Sequence, residues 1–198
     1  MPTWEELQAL WKQEWKPVSK AALIGWLAFY GLFLVHALTN QTGFLLIDPV
    51  NLIVHEAGHL LFGWLGSTLG LWGGTLLEIA VPLALAVHFA LHRQATGVAF
   101  AVFFLFENFL YISTYMADAR AQVLPLVTVG DPDAAEGHDW FLIFLRWGLL
   151  EHDVSIARGV RILGWLGMLG TIAWLAKQGV RRRPGDALHP MGPPPKRH

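Results

Sequence analysis

The chain has 198 residues, of which 54% are hydrophobic and only 15% charged, with a formal net charge of −1. A soluble domain is nearer one quarter charged, so this composition excludes an ordinary soluble surface, and the near-neutral balance offers no footing for nucleic acid. There is no cysteine, which excludes disulfides, thiolate metal sites, iron–sulfur clusters and cysteine nucleophiles.

Charges gather in residues 5–20, 118–161 and 177–198, with long apolar runs between them. A bilayer imposes that distribution because hydrocarbon does not solvate charge. The expected fold is therefore all-α: a polytopic transmembrane helical bundle of five or six hydrophobic segments, forming one domain over residues 21–177. The ten tryptophans fit it, since indole rings favour the membrane interface.

Residues 1–20 read as an N-terminal amphipathic interfacial helix rather than a signal peptide. Thr3 and Glu6 make a capping-box pattern. Trp4, Leu7, Trp11 and Trp15 recur at helical spacing, with Glu5, Lys12 and Lys16 left for the wet side. Residues 21–38 are apolar except for His36 and long enough to span. A second hydrophobic region covers 43–66, where Asp48-Pro49 predicts an N-cap and a helix from about 49 to 66. The third region, 69–91, is interrupted by Gly73-Gly74 and Pro82, and the fourth is 97–116. A polar loop over 118–139 precedes residues 140–150, which are apolar but too short to span unaided and read as re-entrant or interfacial. The last span is 159–176. Residues 178–198 are expected to be a basic, Pro-rich disordered tail. If 140–150 also crosses, the Lys and Arg distribution places both termini inside. Gly66 with Gly70, and Gly164, Gly167 and Gly170, have the spacing of close helix packing.

The chemistry concentrates in His55-Glu56-Ala57-Gly58-His59. Four residues apart on a helix, the two imidazoles share one face about a turn apart, where both can bind one ion. In zinc hydrolases of this pattern the Glu does not ligate; it deprotonates a water whose pKa the ion has lowered. Ala57 and Gly58 are small and leave room for a substrate backbone. The motif would sit roughly 9–15 Å along its helix at 1.5 Å per residue. Three ionisable residues at that depth mark a functional site; the competing reading is a polar cluster bonded to neighbouring helices.

This motif in an apolar helix resembles the metal motif of the site-2 protease family and its smaller zinc-peptidase-like relatives. The resemblance implies an intramembrane zinc endopeptidase, with one zinc ion per chain held by His55, His59 and a later Asp, Glu56 as general base, and a membrane-associated peptide or protein as substrate. The family's Leu-Asp-Gly third-ligand motif is absent, so the third ligand stays open. Asp118 leads, because it lies on a polar stripe with Asn108, Tyr111 and Tyr115 at helical spacing. Glu78, His138 with Asp139, and Glu151 with His152 and Asp153 are the alternatives. Pro82, four residues after Glu78, leaves the Glu78 carbonyl without its helical partner.

Asn108 and Asn51 are candidates for substrate contact or for orienting the ligands, against ordinary interhelical hydrogen bonds. Glu107 is polar in mid-segment. Arg120 reads as a partner of Asp118 or an interfacial anchor, and Gly73-Gly74 as an edge for strand addition. Two other functions compete. A non-enzymatic membrane protein would carry a structural or degenerate metal site. A membrane di-iron oxygenase would use His88, His92 and His36 as well. The expected setting is the lipid bilayer, taken as a bacterial inner membrane, with no nucleic-acid partner.

Overall fold

The computed structural model describes residues 4–5, 13–40, 43–124 and 138–180. The described residues are helical, without strands. The helices are α1 (Lys20–Thr39), α2 (Asp48–Gly63), α3 (Ser67–Leu91), α4 (Ala95–Ala117), α5 (Asp139–Trp147) and α6 (Asp153–Val180), with a 3₁₀ turn at Leu150–His152 before α6. Four of them, α1, α3, α4 and α6 with its 3₁₀ turn, are long and apolar enough to cross a membrane. With its 16 residues, α2 is about 24 Å long at 1.5 Å per residue, short of the ~30 Å hydrocarbon core. The nine-residue α5 is shorter still.

Local chemistry sets most boundaries. Ser19 accepts a hydrogen bond from Ala22 N (3.1 Å) and caps α1. The expected N-terminal helix lies largely in residues 1–3 and 6–12, outside the described residues, as does the tail 181–198. Its last part is described and is not helical: residues 14–19 are irregular, since Pro17 disfavours a helical conformation at Lys16. That segment is nonetheless anchored, with Lys16 N donating to Arg93 O at 2.9 Å and Trp15 edge-on to Trp174. In α2 the proline falls in the first turn as predicted. Asp48 turns back rather than forward, taking Leu45 N at 2.6 Å. The helix stops at Gly63, not 66, and the chain reverses through Gly66 at φ +115°.

Two expectations fail instructively. Gly73-Gly74 and Pro82 do not interrupt the third region, because α3 runs unbroken through all three. Nor does Gly73-Gly74 offer a strand edge, since both residues are buried within the helix. The glycines serve helix packing: a Cβ at Gly58 would collide with Gly73 O, and a Cβ at Gly74 would enter the His55 ring. Farther along, Gly70 meets Gly63. The partners advance in opposite directions, so α2 and α3 form an antiparallel hairpin with backbones in contact.

The span α4 is the most buried and packs most extensively on α6 and then α3. Tyr30, Phe103, Leu110, Met168 and Leu175 join α1, α4 and α6. A second cluster of Ile112, Met116, Trp140, Ile143, Phe144 and Ala157 seats α5 against α4 and α6. Taking such a side chain out of water contributes about 1.5–3 kcal/mol, so this cluster fixes the short α5 on the bundle.

Gly58→Ala is expected to destabilise the folded protein in detergent by about 1–3 kcal/mol, the usual cost of overpacking. Gly31→Ala, where an added Cβ meets open space, should leave it unchanged. Thermal unfolding followed by circular dichroism separates the two.

Candidate metal centre

His55 and His59 project from one face of α2 with ring centroids 4.8 Å apart. The Nδ1 of His59 is hydrogen-bonded, and that of His55 faces a carboxylate without a hydrogen bond. His55 Nδ1 lies 3.3 Å from Glu78 Oε1 on α3, and His59 Nδ1 lies 2.8 Å from Gly70 O on the same helix. The Gly70 carbonyl can only accept, so His59 carries a proton on Nδ1, and a metal ion would take the lone pair of its Nε2. The two Nε2 atoms converge on one carboxylate oxygen, Asp139 Oδ2, at 3.0 Å from His55 and 3.1 Å from His59. Ligand atoms of His55, His59 and Asp139 all lie within 4.8 Å of one another, the one such group among the described residues.

The third corner is therefore Asp139 and not Asp118. Asp118 lies at the C-terminal end of α4, and its two carboxylate oxygens accept from Val123 N and Leu124 N, each at 3.0 Å. Asp139 opens α5, and the packing of that helix against α3 and α4 brings its carboxylate to the imidazoles. Its backbone N donates to Tyr115 Oη at 3.2 Å, and the Tyr115 ring stands edge-on to His55. Burial raises the Asp139 carboxyl, but with no ion bound the His55 and His59 Nε2–H groups donate to it, outweigh the burial and hold it below the usual carboxylate range. Asp139 thus stays ionised and available as a ligand.

The other candidates occupy different positions. Glu78 is 1% exposed and pairs with His55 rather than with the convergence point. Asn108 Nδ2 donates to Glu78 O at 2.5 Å; that carbonyl is the one Pro82 deprives of a helical partner. Asn108 therefore secures the backbone that carries the His55 partner, and makes no contact with a ligand. Asn51 is buried and donates to Glu107 Oε2 (3.1 Å) and Asp48 Oδ1 (3.4 Å), forming a separate polar cluster. Arg120 pairs with Asp153, Nη2 to Oδ1 at 2.8 Å and Nε to Oδ2 at 2.9 Å, and not with Asp118. Glu151 and His152 are exposed. His138 is 1% exposed, and burial pushes its pKa below the usual histidine value. His88 and His92 stack on each other at 4.3 Å, with His92 Nδ1 on the His88 carbonyl of their own helix. His36 Nε2 accepts from Leu46 N.

The centre opens toward one side. Side-chain exposure rises from 5% at His55 through 15% at Asp139 to 27% at His59. Glu56 is half-buried, makes no hydrogen bond among the described residues, and couples electrostatically with His55, His59 and Asp139. The donor set suits a cation. Bonds of ~2.0–2.1 Å put neighbouring ligand atoms of a tetrahedral zinc roughly 3.3–3.4 Å apart, close to the two separations from Asp139 Oδ2. A carboxylate and a carbonyl behind the ligating histidines are the usual supports of such a site. Comparison of the chain with protein-family models, curated proteins and solved structures found no match.

Glu78→Gln is expected to weaken metal binding about 10- to 100-fold, the range typical for a partner behind a ligating histidine. Asn51→Ala, which touches no ligand, should leave it unchanged. Competition of purified protein with a chromophoric chelator measures both.

Proposed function

We propose that this chain is an integral membrane zinc peptidase in which His55, His59 and Asp139 hold one ion and Glu56 acts as general base. The observation that supports the reading best is the convergence of the His55 and His59 Nε2 atoms on one carboxylate oxygen of Asp139, next to a glutamate that makes no hydrogen bond among the described residues. A zinc ion bound there would lower the pKa of a water molecule and polarise a peptide carbonyl.

Each residue then has a physical task. Glu56 sits next to His55 in sequence and couples electrostatically with the centre, so it accepts the proton of a water at the ion and delivers it to the leaving amine. The Gly70 carbonyl keeps His59 in the ligating tautomer, and the Glu78 carboxylate stands 3.3 Å behind His55 Nδ1. Asp139 supplies one negative charge to a two-histidine site, which leaves net positive charge on the bound ion for the substrate carbonyl. Gly58 serves this arrangement by admitting α3 to the back of α2; it is not the room for substrate that its size implied.

The hairpin also places the centre in depth. Gly70 and Glu78 lie roughly 5 and 16 Å along α3 from its first residue, at 1.5 Å per residue. The centre therefore lies in the half of the bundle toward the end where α2 stops, α3 starts and α4 gives way to the polar connection. Water and an extended substrate segment reach it from that end. A membrane-associated peptide is the substrate class this geometry suits, because a helical segment hides its backbone carbonyls.

Detergent-purified protein is expected to contain about one zinc per chain by elemental analysis, with His59→Ala losing it. Glu56→Gln should retain zinc and lose cleavage by about 10²–10⁴-fold, the contribution of a positioned base. Cleavage products are found by comparing membrane-peptide profiles of cells carrying wild type and Glu56→Gln. Absence of zinc in wild type sinks the reading. Zinc with identical peptide profiles leaves a structural metal site.

A further inference from the structure

Asp139 is not carried by a membrane-crossing helix. It opens a nine-residue helix that follows the polar connection after α4, so its carboxylate is placed only as well as that helix start is placed. The first backbone N–H groups of a helix have no partner within it. In α5 two are taken by side chains: Asp139 N donates to Tyr115 Oη, and Phe141 N donates to His138 Nδ1 at 3.4 Å.

That second bond has a consequence for His138. With Nδ1 accepting, the ring proton sits on Nε2, and Nε2 faces Asp118 Oδ2 at 3.5 Å. The ring also packs on Tyr115, centroid to centroid 4.1 Å. Asp118 meanwhile gathers Val123 N and Leu124 N at the departing end of the connection. One buried carboxylate thus bonds the chain that leaves α4 and stands 3.5 Å from the otherwise unbonded Nε2 of the residue that precedes Asp139.

We infer that Asp118 and His138 are positioning residues that clasp the two ends of the α4–α5 connection, and so set the metal affinity of the His55–His59–Asp139 centre through Asp139. This rests on the metal-binding reading above. The engagement of both Asp118 oxygens by backbone N–H groups separates this role from direct ligation.

The test is zinc titration of the full-length protein in detergent against a chromophoric chelator. Asp118→Asn keeps the shape and one accepting oxygen. His138→Asn keeps a good helix-capping residue and loses the reach to Asp118, so α5 retains its start. Each variant is expected to loosen zinc about 10- to 100-fold, the pair together no more than either alone. Neither should have any effect in an Asp139→Asn background. Wild-type affinity in both single variants overturns the clasp and leaves the metal centre standing. Further loss in the Asp139→Asn background overturns it in favour of a direct ligand role. A wild type that binds no zinc removes the underlying reading as well. Unfolding temperatures of the zinc-free proteins, expected within a few degrees of wild type, exclude a general loss of fold as the cause.

Discussion

Where α2 and α3 cross at Gly58, Gly73 and Gly74, no side chain separates their backbones, and the candidate metal centre depends on that contact. It brings the His55 ring against the Gly74 Cα, the Glu78 carboxylate to His55 Nδ1 and the Gly70 carbonyl to His59 Nδ1. A separation wider by one methyl group would take the Gly70 carbonyl from His59 Nδ1 and the Glu78 carboxylate away from His55, and a polar group buried without a partner costs several kcal/mol in a hydrocarbon surrounding. Close approach and histidine orientation are therefore one constraint seen from two sides. The Nε2 atoms are the ones that meet Asp139.

The span α4 transmits this arrangement to the rest of the bundle. Through Asn108 it supplies the donor that the Pro82 ring takes from the Glu78 carbonyl, so an interruption of α3 is bridged rather than propagated as a break. Through Tyr115 it touches His55, His138 and Asp139 together. Through Met116 and Ile112 it receives Trp140, Ile143 and Phe144 of α5. Asn108, Tyr115 and Asp118 of the polar stripe thus act as supports: they hold the Glu78 backbone, the His55 and His138 rings and the start of the connection, while the group that could hold an ion comes from α2 and α5.

The division between helices has a mechanical meaning. His55 and His59 ride on a hairpin locked by backbone contact, whereas Asp139 rides on a short helix attached by side-chain packing and by the Asp118–His138 contact. Two corners of the candidate centre ride on one closely packed hairpin and the third on a separate short helix. Exposure grades the same way, with His55 enclosed and Asp139 and His59 progressively more open.

Read alone, the sequence determined the helical class, the apolar segments long enough to cross a membrane, the start of α2 near Pro49, and the pairing of His55 with His59. Each follows from local rules: hydrocarbon excludes charge, proline fixes its own dihedral, and residues four apart on a helix share a face. It also flagged the orphaned carbonyl of Glu78, because Pro82 removes a donor whatever surrounds it. The tertiary structure alone decided what filled the gaps those rules leave. Asp118 and Asp139 flank one polar connection and are chemically equal as ligands. Only the docking of α5 by Trp140, Ile143 and Phe144 brings one of them to the imidazoles and turns the other toward the backbone of its own loop. Gly58 and Gly73-Gly74 read as room for a substrate or a strand edge, until the neighbouring helix is seen to fill that space. A third ligand, a helix contact and an acceptor for a buried nitrogen are all relations between residues distant in the chain, and spacing along a single helix carries no record of them.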